Sequence, residues 1–351
     1  MDTPRIADTP RIAVIGAGLI GRRHAGYVAA SSRATLSAIV DPDESFAQLA
    51  RQHGVPWFAG PKQMLAAGLA DGAIVATPTA LHEDVGMACI DAGVHAIIEK
   101  PISHTLESAE RLNAAAEAAN VRLLTGHHRR YHPAVAGTRR MIETGTLGQL
   151  VAVTCTWAIS KPPAYFKPEW RRAAGGGPVL INLIHDVDLL RAMVGEITQI
   201  SAMTSSTIRG HETEDTAALT LRFGNGALGT VIMTDTAPSP WTYEQGSGES
   251  HPQFPEAHQN AYRFFGTKAA LEFPKLRLWS QTGDPDWMKP IAPRDLPLAR
   301  HDVYIAQIDH FADVIRGDAV PIASGREGQK TLAATLAVIE AARTGVTINL
   351  P

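Results

Sequence analysis

Only two cysteines, Cys89 and Cys155, occur in 351 residues, and no C-x-x-C pair is present. Far apart and each in apolar surroundings, they read as small core residues rather than a redox pair, in keeping with a reducing compartment. Neither sign of charge dominates: 32 Lys and Arg stand against 35 Asp and Glu, a net charge of -3. That leaves no electrostatic footprint for nucleic acid or for a membrane surface. No apolar run approaches the ~18 residues of a membrane span, and no basic-then-apolar leader opens the chain. The expectation is a cytoplasmic protein with neither a nucleic-acid nor a membrane partner. Low-complexity tracts are missing too. The one internal repeat is the hexapeptide Asp-Thr-Pro-Arg-Ile-Ala, at 2–7 and again at 8–13, and only the second copy leads into an apolar run. Residues 1–10 therefore read as an N-terminal extension.

Apolar residues make up 45% of the chain and charged ones 19%, which suits packed cores and about two domains. The most informative stretch is Val14-Ile15-Gly16-Ala17-Gly18-Leu19-Ile20-Gly21. An apolar run, Ile12 to Ile15, meets a G-x-G-x-x-G turn and then a helix-compatible segment to Ala30. A second apolar run, Leu36 to Val40, ends in Asp41. Strand, tight turn, helix, strand and acidic tip form the dinucleotide-binding fingerprint. Gly16 permits the turn, Gly18 leaves room for a pyrophosphate, and Gly21 lets helix and strand pack closely. The free N–H groups of the helix start, at Leu19 and Ile20, face the phosphates. Asp41 can accept hydrogen bonds from ribose hydroxyls and would repel a 2′-phosphate, and Pro42-Asp43-Glu44 offers no arginine to hold one. NAD is favoured over NADP. The plainer reading of Asp41 is a strand-end residue that caps the next helix.

The first third alternates apolar runs (Trp57-Phe58, Ala73 to Ala76, Val94 to Ile98, Val121 to Thr125) with helical segments (43–52, Lys62 to Ala67, Thr79 to Ala92, Thr105 to Asn120). Such alternation predicts a parallel sheet with helices on both faces. Thereafter Leu150 to Ile159, Thr198 to Met203, Ala217 to Phe223 and Ala227 to Thr234 have strand composition. Hairpins are expected at Gly224-Asn225-Gly226 and at Gly266-Thr267-Lys268, between Ala261 to Phe265 and Ala269 to Phe273. Helices are expected at Pro178 to Val194, Val303 to Arg316 and Gly328 to Thr344. Pro238 to Gln259, rich in Pro, Gly, Ser, Glu and His, reads as a long loop. His251 and His258 lie in it, but no spacing supports a metal site.

Three clusters can carry chemistry. Thr77-Pro78-Thr79-Ala80-Leu81-His82 follows a buried strand, and parallel strands present ligands at their C-terminal ends. Glu99-Lys100-Pro101 follows the next strand. Lys100 is either paired with Glu99 at the surface or a general acid/base facing a substrate, and Pro101 can hold a special turn with a cis bond. The third cluster runs from Gly175-Gly176-Gly177-Pro178 to Asp188. Asn182, His185 and Asp188 are spaced three apart and share a helical face. His185 is either one polar residue of an amphipathic helix or a proton shuttle that Asp188 orients. Arg129, Arg130, Arg171 and Arg172 read as structural salt-bridge partners or as ligands for a substrate carboxylate.

The segments G-A-G-x-I-G-x-x-H (Gly16 to His24), A-T-P-T-x-x-H (Ala76 to His82), E-K-P (Glu99 to Pro101), G-x-x-R-R-Y-x-P (Gly126 to Pro133) and G-G-G-x-x-x-x-x-x-x-H-D-x-D (Gly175 to Asp188) together resemble the Gfo/Idh/MocA oxidoreductases. A tail from His310-Phe311 through Arg316-Gly317 and Ser324-Gly325 is also similar. The resemblance implies an α/β fold: an N-terminal Rossmann doubly wound parallel sheet, residues 11–126, that binds NAD, and a C-terminal α/β domain, residues 127–351, with a large, mostly antiparallel open sheet for substrate binding and oligomerisation. It implies Lys100 and His185 as catalytic residues. The cofactor set is Gly16, Gly18, Leu19, Ile20, Gly21, Asp41, Thr77, Pro78, Thr79, His82, Glu99 and Lys100. Asn182, His128, Tyr165, Trp170 and Arg171 are expected to bind substrate.

One departure stands out. Many members of the family carry an aspartate four residues before the histidine, where this chain has Ile181 with Asn182 beside it; an amide hydrogen-bonds a hydroxyl but is no base. The expected activity is NAD-dependent interconversion of a secondary alcohol and a ketone on a sugar, cyclitol or polyol. Two alternatives remain: a redox-neutral lyase or glycosidase that retains NAD, and a non-catalytic NAD-dependent sensor. An open sheet leaves a face to cover, so a homodimer or homotetramer is expected.

Overall fold

Continuous apolar strands in the first third fit a sheet covered on both faces, and the computed structural model builds one. It describes residues 9–249, 254–299 and 302–351, so the first hexapeptide copy and His251 lie outside the described residues. The chain divides into two compact units, 9–131 with 302–332 and 132–299 with 333–351.

The first unit holds a six-stranded sheet. Its strands are β1 (Arg11–Ile15), β2 (Thr35–Val40), β3 (Trp57–Phe58), β4 (Gly72–Val75), β5 (His95–Ile98) and β6 (Leu123–Thr125), in the order β3-β2-β1-β4-β5-β6. Every pairing is parallel. Helices α1 (Leu19–Ala30), α2 (Ala47–Gln52), α3 (Pro61–Ala66), α4 (His82–Asp91) and α5 (Leu106–Ala118) make the crossovers. On α1 the buried stripe is Gly21, His24, Ala25 and Val28, the spacing of one helical face. Thr105 caps α5 by accepting from the Ser108 N–H. Cys89 is buried in α4, and burial pushes its thiol up to about 12, which fits an inert core residue.

The second unit begins with α6 (Pro133–Glu143) and β7 (Leu150–Ala158), followed by α7 (Ile184–Val194). Then come β8 (Ile197–Ser205), β9 (Thr216–Phe223), β10 (Leu228–Thr234), a short α8 (Tyr243–Ser247), β11 (Tyr262–Gly266), β12 (Ala269–Phe273), β13 (Arg277–Ser280), β14 (Ala292–Asp295) and, near the end of the chain, β15 (Ile348–Asn349). Together they form a nine-stranded sheet, β14-β13-β12-β11-β7-β10-β9-β8-β15. All its pairings are antiparallel except β10 with β7. Both expected hairpins form, β9–β10 and β11–β12. One face of the sheet packs on α6, α7 and the later half of the final helix through Val153, Cys155, Leu219, Val231, Phe264, Leu190 and Val338. The chain between β10 and β11 is not a loop throughout: Tyr243 is completely buried and Thr242 caps α8. His258 pairs with Glu256 at 2.9 Å.

The last helices are α9 (Val303–Arg316) and α10 (Gly325–Thr344), and α9 returns the chain to the first unit. Residues 127–131 and 302–332 belong to the first unit. Helix α9 buries Ile308, Phe311, Ala312, Val314 and Ile315 against Ile12, Val14 and Ile74 of the parallel sheet. The Thr125 N–H donates to Ala323 O at 2.8 Å, which ties the returning chain to the end of β6. The helix expected over Pro178 to Val194 forms, though its first part is not α-helical. The turn Val179–Leu183 is a π-turn, and α7 begins only at Ile184. The Glu214 carboxylate takes the Val179 N–H at 2.8 Å. Asn182 lies in that π-turn, while His185 and Asp188 share one face of α7.

Candidate active site

Register assembles the candidate cofactor edge of the first unit. Across the parallel sheet Phe58, Val40, Ile15, Val75, Ile98 and Thr125 are successive partners in one row. The residues immediately after them, Asp41, Gly16, Ala76-Thr77, Glu99-Lys100 and Gly126, therefore emerge at one edge, the carboxyl end of the strands. Gly16 has φ +93°, and a Cβ on Gly21 would stand 1.8 Å from Gly16 O, so turn and helix lock together only through these glycines. Above Gly18 nothing lies within 4 Å of where a Cβ would be. No side chain caps α1 and no acid occupies its first turn. Open space, bare N–H groups at Leu19 and Ile20, and a positive helix end suit a pyrophosphate. Asp41 accepts from the Ala17 N–H at 2.7 Å and the Asp43 N–H at 2.9 Å, which holds its carboxylate beside the turn. The capping duty expected of Asp41 falls to Asp43, which accepts from the Ser45 N–H. Thr77 and Thr79 are half-buried and Pro78 is exposed.

His82, expected in the cofactor set, has both ring nitrogens engaged by the chain itself. Its ring is 1% exposed, with Nδ1 2.9 Å from Pro101 O and Nε2 3.0 Å from Thr77 O. Burial holds it below the ordinary histidine range. It fastens the Thr77 turn to the Pro101 turn, and the Lys100–Pro101 bond is cis. Glu99 is buried rather than at the surface, 2.7 Å from His24 Nε2, and accepts the Lys100 backbone N–H at 3.1 Å. Burial alone would raise its pKa. The His24 hydrogen bond and charge, helped by Lys100 and His128, outweigh that and hold the carboxyl at about 2. His128 is buried in the first unit, stacked 4.2 Å from Tyr304, which in turn stacks 4.8 Å from Tyr27. Arg130 is structural: it bonds Glu327 at 3.0 Å and Ile322 O at 3.1 Å.

In the other unit, several of the expected substrate residues cluster around Lys161, three residues beyond β7. Lys161 Nζ donates to Asn182 Oδ1 at 2.7 Å and is 3.4 Å from Asp235 Oδ2. It sits 4.7 Å from the Tyr165 ring centroid and 5.5 Å from that of Trp157. Desolvation depresses its pKa, Asp235 opposes that, and Arg209 and Arg171 push it down further. The other oxygen of Asp235 takes Arg209 Nε at 2.6 Å. Arg171 lies over the Tyr165 ring at 4.0 Å and donates to Tyr165 O at 2.7 Å, with exposed Trp170 on its flank at 5.1 Å. The triple glycine brings this segment against the π-turn: a Cβ on Gly176 would stand 1.9 Å from Trp170 O. His185 and Asp188 are buried near the start of α7, and neighbouring Asp186 accepts the Tyr262 hydroxyl.

Two family models account for most of the chain. The NAD-binding Rossmann fold of the oxidoreductase family Gfo/Idh/MocA matches residues 10–127, and the C-terminal alpha/beta domain of the same family matches residues 139–350. The chain belongs to the Gfo/Idh/MocA oxidoreductases. Among Gfo/Idh/MocA relatives, scyllo-inositol 2-dehydrogenase (NAD(+)) of Bacillus subtilis is 26% identical, covering 97% of this chain and 96% of that protein. The 1,5-anhydro-D-fructose reductase of Ensifer adhaerens is 28% identical over 95% and 97%. The WlbA dehydrogenase of Bordetella pertussis, solved in complex with NADH and UDP-GlcNAcA, aligns with a TM-score of 0.79 at 27% identity, over 98% of this chain and 99% of that one. The first unit is thus an NAD-binding Rossmann domain in a Gfo/Idh/MocA enzyme, and the space over Gly18 fits the group. Among the described residues, no cluster of His, Cys, Asp and Glu could hold a metal ion, and no helix is long and apolar enough to cross a membrane.

Sequence reasoning missed Lys161, His24 and Tyr304. His24 stood inside a quoted motif and lies on the buried stripe of α1, a signal that was available. Lys161 and Tyr304 meet their partners through strand order and through the return of α9, which no local spacing reports.

Proposed function

We propose that this chain interconverts a secondary alcohol and a ketone on a sugar, cyclitol or polyol, with Lys100 and His185 as its catalytic residues. The observation that carries the reading is the single register row that delivers Gly16, Asp41, Thr77 and Lys100 to one sheet edge. The two curated relatives, named for an inositol and an anhydro sugar, support the substrate class. When bound, the nicotinamide supplies the hydride acceptor. Lys100 follows the buried Glu99, whose carboxylate accepts its backbone N–H at 3.1 Å, and its ammonium can polarise the substrate oxygen. His185 takes the hydroxyl proton, a task its imidazole suits near neutral pH. Asn182 and the aromatic face of Tyr165 hold the polyhydroxylated ring. Asp41 recognises the adenosine ribose, which makes NAD the working cofactor.

Positioning supplies much of the acceleration, and acid/base help contributes about 10²–10⁴-fold. Lys100→Ala is expected to lower kcat by that factor while NAD binding, followed by fluorescence quenching, stays within about twofold of the parent. Production of NADH at 340 nm across a panel of sugars, cyclitols and sugar acids identifies the substrate. Full turnover by Lys100→Ala overturns the assignment.

We also propose that a second copy of the chain covers the outward face of the nine-stranded sheet. Thr154, Thr230 and Thr220 lie side by side across β7, β10 and β9, with Leu228, Ile232 and Phe265 exposed among them. A sheet face with that much apolar surface is suited to an isologous contact.

A further inference from the structure

We infer that the second unit carries an anion-recognition site, built on the Lys161 ammonium and the Arg171 guanidinium, that selects substrates bearing a carboxylate. The inference rests on the proposed dehydrogenase reading and adds to it the charge of the substrate. Lys161 is an unusual lysine. Its side chain is 10% exposed, yet its one short hydrogen bond goes to a neutral amide, Asn182 Oδ1. Its only carboxylate among the described residues, Asp235, is 3.4 Å away and already takes a guanidinium at 2.6 Å from Arg209. Arg171 is less compensated still. Its partners are a backbone carbonyl and two aromatic faces, no carboxylate lies within 4.0 Å of it among the described residues, and its Nε is buried without an acceptor.

Both cations border one ring, Tyr165, at 4.7 and 4.0 Å from its centroid. Two cations held this close, one largely out of water and sharing its only carboxylate with Arg209, the other with no carboxylate in reach, repel each other and are costly to bury. Nearby acids do not remedy this. Asp215 is committed to the N–H groups of Ile208 and Arg209 and to the Thr216 hydroxyl, and Glu214 to the Val179 N–H and the Thr213 hydroxyl. A bound carboxylate supplies the missing counter-charge. The same residues, Tyr165 and Asn182, offer a ring face and an amide for the rest of a polyhydroxylated molecule, so the anion is a substituent of the substrate and not a separate ligand. A charge-assisted hydrogen bond is worth about 1.5–3 kcal/mol, or roughly 10- to 150-fold in affinity.

The test uses the full chain loaded with NAD and calorimetric titration of matched pairs: D-glucuronate with D-glucose, D-galacturonate with D-galactose, and D-gluconate with D-glucitol. At least one acid is expected to bind about tenfold or more tighter than its neutral partner at low salt, with the preference shrinking as salt rises. Lys161→Met is expected to reduce that preference to about twofold, and Lys161→Arg to keep most of it. If Lys161→Met does not fold, Arg171→Leu provides the reading, with a partial loss expected. The inference is overturned if no acid binds better than its neutral partner, or if the preference survives in Lys161→Met with its melting temperature unchanged. Acid preference with no NADH formed from any substrate would sink the proposed dehydrogenase reading alone. Turnover of neutral cyclitols without acid preference would sink this inference alone.

Discussion

Glu99 stays charged in a place where burial favours the neutral acid. Its carboxylate is 8% exposed and is held by His24, with Lys100 and His128 adding favourable charge. The consequence for pH follows from the sign of the shift. The ordinary value is 4.5 and the folded value about 2, so the unfolded chain binds a proton first as pH falls. The stability Glu99 contributes is complete above about pH 4.5 and is lost as pH drops from there toward 2. Chemical denaturation at pH 7 and pH 3 is expected to show this acid limb. Glu99→Gln is expected to flatten that limb and, by leaving His24 without its acceptor, to cost about 3 kcal/mol at pH 7. An acid limb unchanged in Glu99→Gln would assign it to other carboxylates. At this scale Glu99 was legible only as part of a motif. Whether it lay at the surface with Lys100 or inside with His24 depended on α1 bringing His24 to the end of β5, which no window of sequence contains.

At the scale of elements, the turn between β1 and α1 separates two jobs that glycine does. Gly21 is a packing position, because a methyl group there would sit 1.8 Å from Gly16 O. Gly18 has open space around it. Gly21→Ala is therefore expected to destabilise the fold by more than about 2 kcal/mol through overpacking, read by thermal melting. Gly18→Ala is expected to change stability by less than about 1 kcal/mol yet to weaken NAD binding tenfold or more, because its methyl would occupy the space left for the pyrophosphate. Equal effects of the two substitutions on NAD affinity and melting would remove the distinction. The fingerprint made this element plain from sequence alone, since strand, turn, helix and acid are all local. The segment from Gly175 to Asp188 was only half legible. Its glycines and helix were clear, but the π-turn at Val179–Leu183 arises where Glu214, from a distant strand connection, takes the first helical N–H.

For the whole molecule, the main surprise is where the chain returns. Helix α9 reads as amphipathic wherever it is placed, and its periodicity does not say against which sheet it packs. It completes the first unit, and with it comes Tyr304 against His128 and Tyr27. The outward face of the nine-stranded sheet is the other property of this scale. Ile232→Glu is expected to convert a self-associating protein to monomer in sedimentation velocity while changing the intrinsic stability of the folded chain by no more than about 0.5 kcal/mol. A parent chain that sediments as a monomer would refute the proposed contact.

Sequence alone determined the two classes of sheet, the glycine turn after β1, the acid at the end of β2 and the lysine after β5. Each of these is written in consecutive residues, through alternation, glycine placement or a motif at a strand end. Tertiary structure alone decided that His82 fastens two turns, that Glu99 lies buried with His24, that α9 joins the parallel sheet, and that Lys161 meets Asn182 and Asp235. Those outcomes depend on which strands become neighbours and on how burial balances against pairing of charge, and both are properties of the folded chain rather than of any segment.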